Sequence, residues 1–531
     1  MTKSERQSSG RNPSHKDDVK AVKVNPSFAR RIARNTLFLY FRQILIMLVS
    51  LYTVRVVLAT LGAEDYGIYN IVAGVVVMFG FVNNAMASGT QRYLNFYLGK
   101  NDEERTNQVY SAGLVIHLLV AVLFIVVAES AGLWFVGRKL NIPAGRHGAA
   151  MTVYQFTVFT TVFSILRVPY NATVIAYEKM SFFALLSIVE AFLKLAVVFL
   201  LRSSSFDTLI FYAFLLMMVA LVITLVYKVY CNKTFSIAHY KKVNDFGFVK
   251  EQLSFSGWSL FGAVANVSCS QGTNVVLNMF TNVTVNAAMG IANQVNAAVY
   301  SFVGNFQTAF NPQIVKSYAE ENRKYLINLI CGASKISFFL LTFLTVPLLV
   351  NCEFVLSVWL KEVPEYSVRF VQLILIWALI DSWNGPLYMS IQATGNIRKY
   401  QILISLFIFM NLPLTIVAFL LGASPEWILI IRVAINLFNT FWRVFFLHPR
   451  IELPRRRFVF GVILRCSLVF VASLALTLLF GGLFGEGIFR FFMTCIASVI
   501  LNAVLIMSFG VNSSERKTAL MFVRSKLGGA M

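Results

Sequence analysis

The chain has 531 residues, of which 57% are hydrophobic and 13% charged, with a mean hydropathy of +0.69. That is more apolar side chain than a soluble core of this length can bury, so a soluble enzyme or binding domain is excluded and a polytopic membrane protein is expected. The net charge of +22, from 46 Lys+Arg against 24 Asp+Glu, would suggest nucleic acid in a soluble chain. Here the basic residues gather in alternate loops, which indicates membrane orientation and no nucleic-acid partner.

Residues 1–35 carry Lys3, Arg6, Arg11, Lys16, Lys20, Lys23, Arg30, Arg31 and Arg34, with no apolar stretch and no small-residue cleavage site. They read as a basic cytoplasmic tail, and the first span then acts as an uncleaved insertion signal. At about twenty apolar residues per crossing, about fourteen transmembrane helices follow. The first half holds roughly 36–60, 67–89, 109–135, 149–169, 180–201 and 206–230; the second holds roughly 254–280, 285–310, 326–350, 366–389, 399–421 and 425–447. A last pair, roughly 458–481 and 487–509, precedes a short tail from residue 511. The expected fold is therefore all-α: a bundle over 36–230, a cytoplasmic linker over 231–253, a second bundle over 254–447, an extra helix pair over 448–510 and a tail over 511–531.

Basic loops at Lys100 and Arg105, Lys179, Lys233 to Lys250, Lys316 to Lys324, Arg398 and Lys399, and Arg450 to Arg457 place both termini inside. In the linker, Phe235, Ile237, Tyr240, Val243, Phe246 and Phe248 interleave with lysines, a pattern expected of a helix resting on the anionic lipids of the inner leaflet. The six Cys show neither CxxC nor metal spacing and read as reduced packing residues.

The two halves echo each other. The turn at Thr60 to Asp65, where Gly62 and Gly67 let the backbone reverse, introduces Gly67 and Asn70, and Gly290 and Asn293 stand in the same order in the second half. Gln91, Tyr97 and Asn107 are answered by Gln313, Tyr318 and Asn328, and the Pro169/Ala176 pair of VPYNATVIAYEK by Pro386/Ala393 of GPLYMSIQATGN. Several matches in order argue for a duplicated module. An even number of spans per copy makes the two bundles like-oriented, related by a pseudo-twofold along the membrane normal, with a path between them.

No P-loop, HExxH or paired-carboxylate loop is present, and the five His are scattered, so ATP-driven transport, a metal and a cofactor are not expected. Candidates are instead the ionisable residues inside spans, which are costly in hydrocarbon. Arg42 and Arg55 lie thirteen residues apart on the first span, about 20 Å along a helix. They are either two posts for a phosphate-bearing group or a pair that snorkels to opposite interfaces. Lys335 and Arg432 are further buried cations whose facing the sequence leaves open, and Arg465 lies near enough the inner face to snorkel. Glu190 and Lys194, spaced i, i+4, form either a neutral structural pair or one that opens when phosphate competes for Lys194, leaving Glu190 to take a proton. Asp381 precedes SWNGP, where Gly385 and Pro386 should break the helix; it is a cavity residue and a candidate coupling acid.

The duplicated module, LGAEDYGIYN (Leu61 to Asn70), TQRYL (Thr90 to Leu94) and ATG (Ala393 to Gly395) together resemble the polysaccharide-transporter, or O-antigen flippase, family. That family shares a superfamily with multidrug and toxin extrusion proteins and the lipid II flippase. The resemblance implies a V-shaped pair of bundles working by alternating access in a bacterial cytoplasmic membrane. It also implies a polyprenyl-pyrophosphate-linked oligosaccharide as substrate, for O-antigen, capsule or exopolysaccharide assembly, with polysaccharide polymerase and assembly proteins as partners. Arg42, Arg55, Lys194, Lys335 and Arg432 are then expected to contact substrate along one cationic furrow, with Glu190 and Asp381 in coupling; this assignment follows position in the spans, since the family shares no fixed set of cavity arginines. A cation-coupled multidrug exporter and a membrane glycosyltransferase or glycan ligase are the alternatives.

Overall fold

The structure, a computed structural model, describes residues 26–77, 80–139, 142, 144–201, 206–243, 245–281, 283–360, 362–485, 487–512 and 515–516. Most of the two predicted tails, including residues 1–25 and 517–531, lies outside the described residues. The first bundle comprises α1 (Pro26–Val77), α2 (Gly80–Gly99), α3 (Glu103–Val127), α4 (His147–Ala176), α5 (Met180–Leu201) and α6 (Thr208–Thr234). The second comprises α7 (Phe246–Phe280), α8 (Val283–Ala319), α9 (Arg323–Val350), α10 (Ser367–Ser382), α11 (Asn384–Ala393), α12 (Arg398–Phe409), α13 (Asn411–Leu420) and α14 (Trp427–Ile451). α15 (Arg465–Gly481) and α16 (Ile488–Leu505) form the extra pair and pack on α9.

α1 begins at Pro26, inside the segment read as tail, with the proline in the first helical turn where its missing N–H costs nothing. It carries the first span and the start of the second, joined at Gly62, whose φ of +79° only glycine adopts freely. Among the described residues, eleven helices are long and apolar enough to cross a membrane. The predicted spans not among them fall on α7, α8 and the end of α1 with α2, which are also the helices that join one bundle to the other. Asn305 on α8 and Ser256 on α7 show why: both are buried between bundles, a surface that needs hydrogen-bonding groups and tolerates less hydrocarbon.

The linker departs from expectation. α6 ends at Thr234, α7 starts at Phe246, and the described residues between them are not helical. Phe235, Ile237 and Ala238 are buried, with Phe235 stacked 4.4 Å from Tyr177, so these residues pack on the first bundle, while Tyr240 and Phe246 are exposed. Asn107 Nδ2 donates to the Ile237 and His239 carbonyls, each at 2.8 Å, and Ser111 Oγ accepts from Lys241 N at 3.0 Å. Those bonds to α3 satisfy backbone groups that a helix would have paired internally.

At the end opposite the basic loops, each bundle is tied by an equivalent ion pair. Arg146, before α4, bonds Asp65 and Asp207, the latter capping α6. Arg369, at the start of α10, bonds Glu426, before α14, at 2.9 Å. Partial burial raises the Asp207 carboxyl, but Arg146 and the Ile210 and Leu209 amides outweigh it and hold the group below the usual carboxylate range. A depressed folded value stabilises the protein above the unfolded pKa of about 4, and that contribution disappears as pH falls through the folded value. Asp207→Asn keeps the helix cap and removes the charge, and its cost in detergent at neutral pH is expected to be at most about 1 kcal/mol for so accessible a pair. Melting curves taken from neutral to acid pH should converge for wild type and variant as pH falls through the folded value of Asp207, and parallel curves throughout would show that the tie contributes nothing.

Candidate functional site

A recess of about 350 Å³ opens between α1 and α5, lined by Arg42, Ile46, Val49, Ser50 and Thr53 on one side and Ser187, Glu190, Ala191 and Lys194 on the other. The α1 residues recur at three- to four-residue intervals, so they share one helical face. Lys194 Nζ donates to Glu190 Oε1 at 2.8 Å, the i, i+4 contact the spacing predicts. The second Glu190 oxygen accepts from Arg167 Nη1 of α4 at 3.0 Å. Among the described residues Arg42 has no carboxylate contact: it donates to Asn305 Oδ1 at 2.7 Å, lies 4.7 Å over the Phe183 ring, and keeps Nε buried without a partner. Two cations thus hold one carboxylate, and a third, Arg42, lines the same recess.

The structure brings together Arg42, Glu190 and Lys194 and leaves the other candidates apart. Arg55 is exposed on α1 and does not line the recess. Lys335 is buried, and its Nζ bonds both Glu515 oxygens at 3.0 Å, which ties α9 to the segment after α16. Arg465 likewise donates to Asn512. The expected single furrow lined by Arg42, Arg55, Lys335 and Arg432 is therefore not formed: α9 turns Lys335 toward the C-terminal pair, where a carboxylate neutralises it.

Asp381 and Arg432 belong to a second polar cluster within the other bundle. Asp381 accepts from Tyr300 Oη at 2.8 Å and from Asn384 Nδ2 at 3.2 Å. Asn384 continues the network to Asn436 and Thr440, each at 3.0 Å. Arg432 lies 4.5 Å over the Trp377 ring, and Arg443 donates to Tyr400 Oη at 2.8 Å. The expected interruption falls at Trp383, between α10 and α11, two residues before Gly385 and three before Pro386. Pro386 has no N–H for the Ser382 carbonyl, which accepts instead from Gln307 Nε2 of α8 at 3.4 Å. Gly385 makes this approach possible, since a Cβ there would overlap the Gln307 amide.

Where the basic loops gather, the two bundles are closed on each other by the segments that the internal repeat singles out. Arg92 of TQRYL crosses to the Ala393 carbonyl of ATG at 3.0 Å, its guanidinium 4.3 Å over Tyr93 and 4.9 Å over Phe96. In the reverse direction, Gln313 and Lys316 of the second copy both donate to Glu178, the counterpart of Gly395, with Lys316 at 3.1 Å. Tyr93 adds a bond to Glu251 at 2.9 Å. Gly99 admits Lys316 of α8, whose backbone lies 2.8 Å from where a Cβ would stand.

Arg167, Arg443 and Arg92 are the polar residues that sequence reasoning missed. Arg167 and Arg443 sit near the predicted ends of their spans, where a cation reads as interfacial; the only signal for Arg167 was Pro169 just after it. Arg92 was visible only as a motif letter.

No family model matches the chain, and no curated protein matches it. Solved structures do. The chain is similar to a MATE P26A mutant with a TM-score of 0.69 at 14% identity, covering 80% of this chain and 96% of that one. It is similar to an outward-facing multidrug resistance MATE family transporter of the MOP superfamily with a TM-score of 0.68 at 13% identity, covering 80% and 96%. It is also similar to a MOP superfamily transporter from Pyrococcus furiosus, described as having a binding pocket of reverse polarity that suggests a different function, with a TM-score of 0.68 at 13% identity, covering 81% and 97%. At such identities the likeness shows the fold: a MATE-like pair of pseudo-symmetric helical bundles.

Gly395 has a φ of +79°, and a Cβ there would lie 2.6 Å from Arg92 Nη2. Gly395→Ala is expected to strain the closed contact by about 1–2 kcal/mol and populate states open where the basic loops gather. Labelling of a cysteine at Ala393 by a membrane-impermeant maleimide should speed up several-fold; an unchanged rate would show that this contact does not hold the bundles together.

Proposed function

We propose that this chain is an alternating-access transporter that carries a polyprenyl-pyrophosphate-linked oligosaccharide from the inner to the outer leaflet of a bacterial cytoplasmic membrane. The observation that carries the reading is the recess between α1 and α5, lined by Arg42 and by the Lys194–Glu190 pair, with Arg167 of α4 on the second Glu190 oxygen. Excess positive charge among apolar helices is costly without an anion, and guanidinium groups match phosphate oxygens in pairs. The free Nε of Arg42 is a donor for such a ligand, and Lys194 is exposed enough to leave Glu190 for it while Arg167 keeps the carboxylate neutralised. In this reading Arg55 and Arg432 act as secondary phosphate contacts, Lys335 anchors the C-terminal pair, and the basic loops rest on anionic lipid.

The second reading is cation-coupled multidrug export. It draws on the fold shared with the multidrug resistance transporter and on Asp381, whose hydrogen-bond donors among the described residues, Tyr300 and Asn384, are neutral. The neighbour with a pocket of reverse polarity supports taking pocket charge, and not fold, as the discriminating property.

Proteoliposomes separate the two. Arg42→Ala and Arg167→Ala should each slow outward movement of a fluorescent polyprenyl-pyrophosphate glycan about tenfold or more, the loss of one charge-assisted contact of roughly 1.5–3 kcal/mol. Drug efflux that survives those changes and is abolished by Asp381→Asn, with no glycan movement in wild type, would transfer the assignment to the exporter.

A further inference from the structure

A second recess, of about 300 Å³, lies at the basic end of the same α1–α5 seam, lined by Asn35, Phe38, Glu178, Lys179 and Ser181. We propose that it is a loading site for the phosphate headgroup of a lipid, and that its occupation releases the latch between the bundles. The inference rests on the reading above that the transported molecule is an anionic lipid.

Three features define the ligand. The recess lies at the first turn of α5, whose leading amides have no partner within the helix and carry the positive end of its dipole. Lys179 and the Ser181 hydroxyl, both accessible, supply a cation and a donor at the same point. Asn35, only 4% exposed, lines the recess with Nδ2 unpartnered, a buried donor left waiting for an acceptor. Amides, an ammonium, a hydroxyl and a carboxamide N–H together match a tetrahedral oxyanion and nothing apolar. The tail has a place as well: Leu37, Phe38 and Phe41 on α1 and Leu185 on α5 are exposed apolar residues along the seam, suited to an acyl or prenyl chain that stays outside the protein.

The fourth wall supplies the coupling. Glu178 is the acceptor that Gln313 and Lys316 of the other bundle share, and it is buried against them. While Lys316 remains bound to it, Glu178 is neutralised and an anion can enter the recess beside it. A headgroup seated on Lys179 and Asn35 offers Lys316 a competing partner, so binding and latch release favour each other.

The test uses the full chain in phosphatidylcholine nanodiscs with and without a polyprenyl monophosphate, reading lipid binding by native mass spectrometry and bundle separation by spin labels at the exposed positions Glu104 and Glu320. Wild type should bind the lipid and lengthen the interspin distance. Asn35→Leu and Lys179→Gln should each weaken binding about tenfold, whereas Lys233→Gln, elsewhere on the basic surface, should not. Glu178→Gln should lengthen the distance without lipid. Unchanged affinity in the Asn35 and Lys179 variants, as soluble as wild type, would remove the site. Binding without lengthening would remove the latch, and an identical response to inorganic phosphate alone would remove the lipid. If both variants still move glycan lipid at the wild-type rate, the loading site falls and the transport reading stands. If wild type binds the lipid through Asn35 and Lys179 yet moves no glycan, the transport reading falls and the site stands.

Discussion

A charged group surrounded by apolar helices must find its partner inside the protein, because lipid offers none. Glu190 is where this molecule meets that demand most plainly. Its two oxygens are taken by Arg167 and Lys194, from two different helices, and the pair fixes α4 against α5 while leaving one cation more than the carboxylate can neutralise. Arg42 brings α1 and, through Asn305, the opposite bundle to the same place. The geometry of the recess follows from these contacts: without Glu190, Arg167 and Lys194 would face each other with no carboxylate between them.

Much of the architecture was legible in the sequence because membrane-spanning helices are dictated by length and hydropathy alone. The duplicated module was legible because the matched segments of both copies carry the residues through which the bundles meet, Arg92 and Ala393 on one contact, Gln313 and Glu178 on the other. Facing was not legible. Lys335 read as a cavity candidate because it is a cation inside a span, but the residue that neutralises it, Glu515, is 180 positions away. Glu190 and Lys194 could be paired from spacing, whereas Arg167 comes from another helix, and no periodicity within one segment reveals a partner on the next. The linker misled for a related reason: its apolar residues alternate with lysines as on a surface helix, yet the segment is not helical and Phe235 packs on Tyr177 and Tyr230 of the first bundle.

The internal repeat acquires a physical meaning from the structure. TQRYL of the first copy meets ATG of the second, and NPQIVK of the second meets AYEK of the first. The two contacts are related by the pseudo-twofold but not chemically identical: one is a guanidinium on a carbonyl enclosed by aromatic rings, the other an ion pair with a glutamate. Gly395 and Glu178 share the left-handed backbone, glycine where Arg92 needs the space and glutamate where a charge is to be offered.

The irregular segment after α6 bears on how such bundles turn relative to each other. Its carbonyls at Ile237 and His239 and its amide at Lys241 are all held by α3, and Asp245, which caps α7, is held by Arg105 of the same helix. The crossing between halves is therefore not a slack tether. It is a strap sewn along one side to α3, so any swing of the second half has to roll about the capped start of α7 as a fulcrum, and the distance between the two halves at that corner is set before either of them moves.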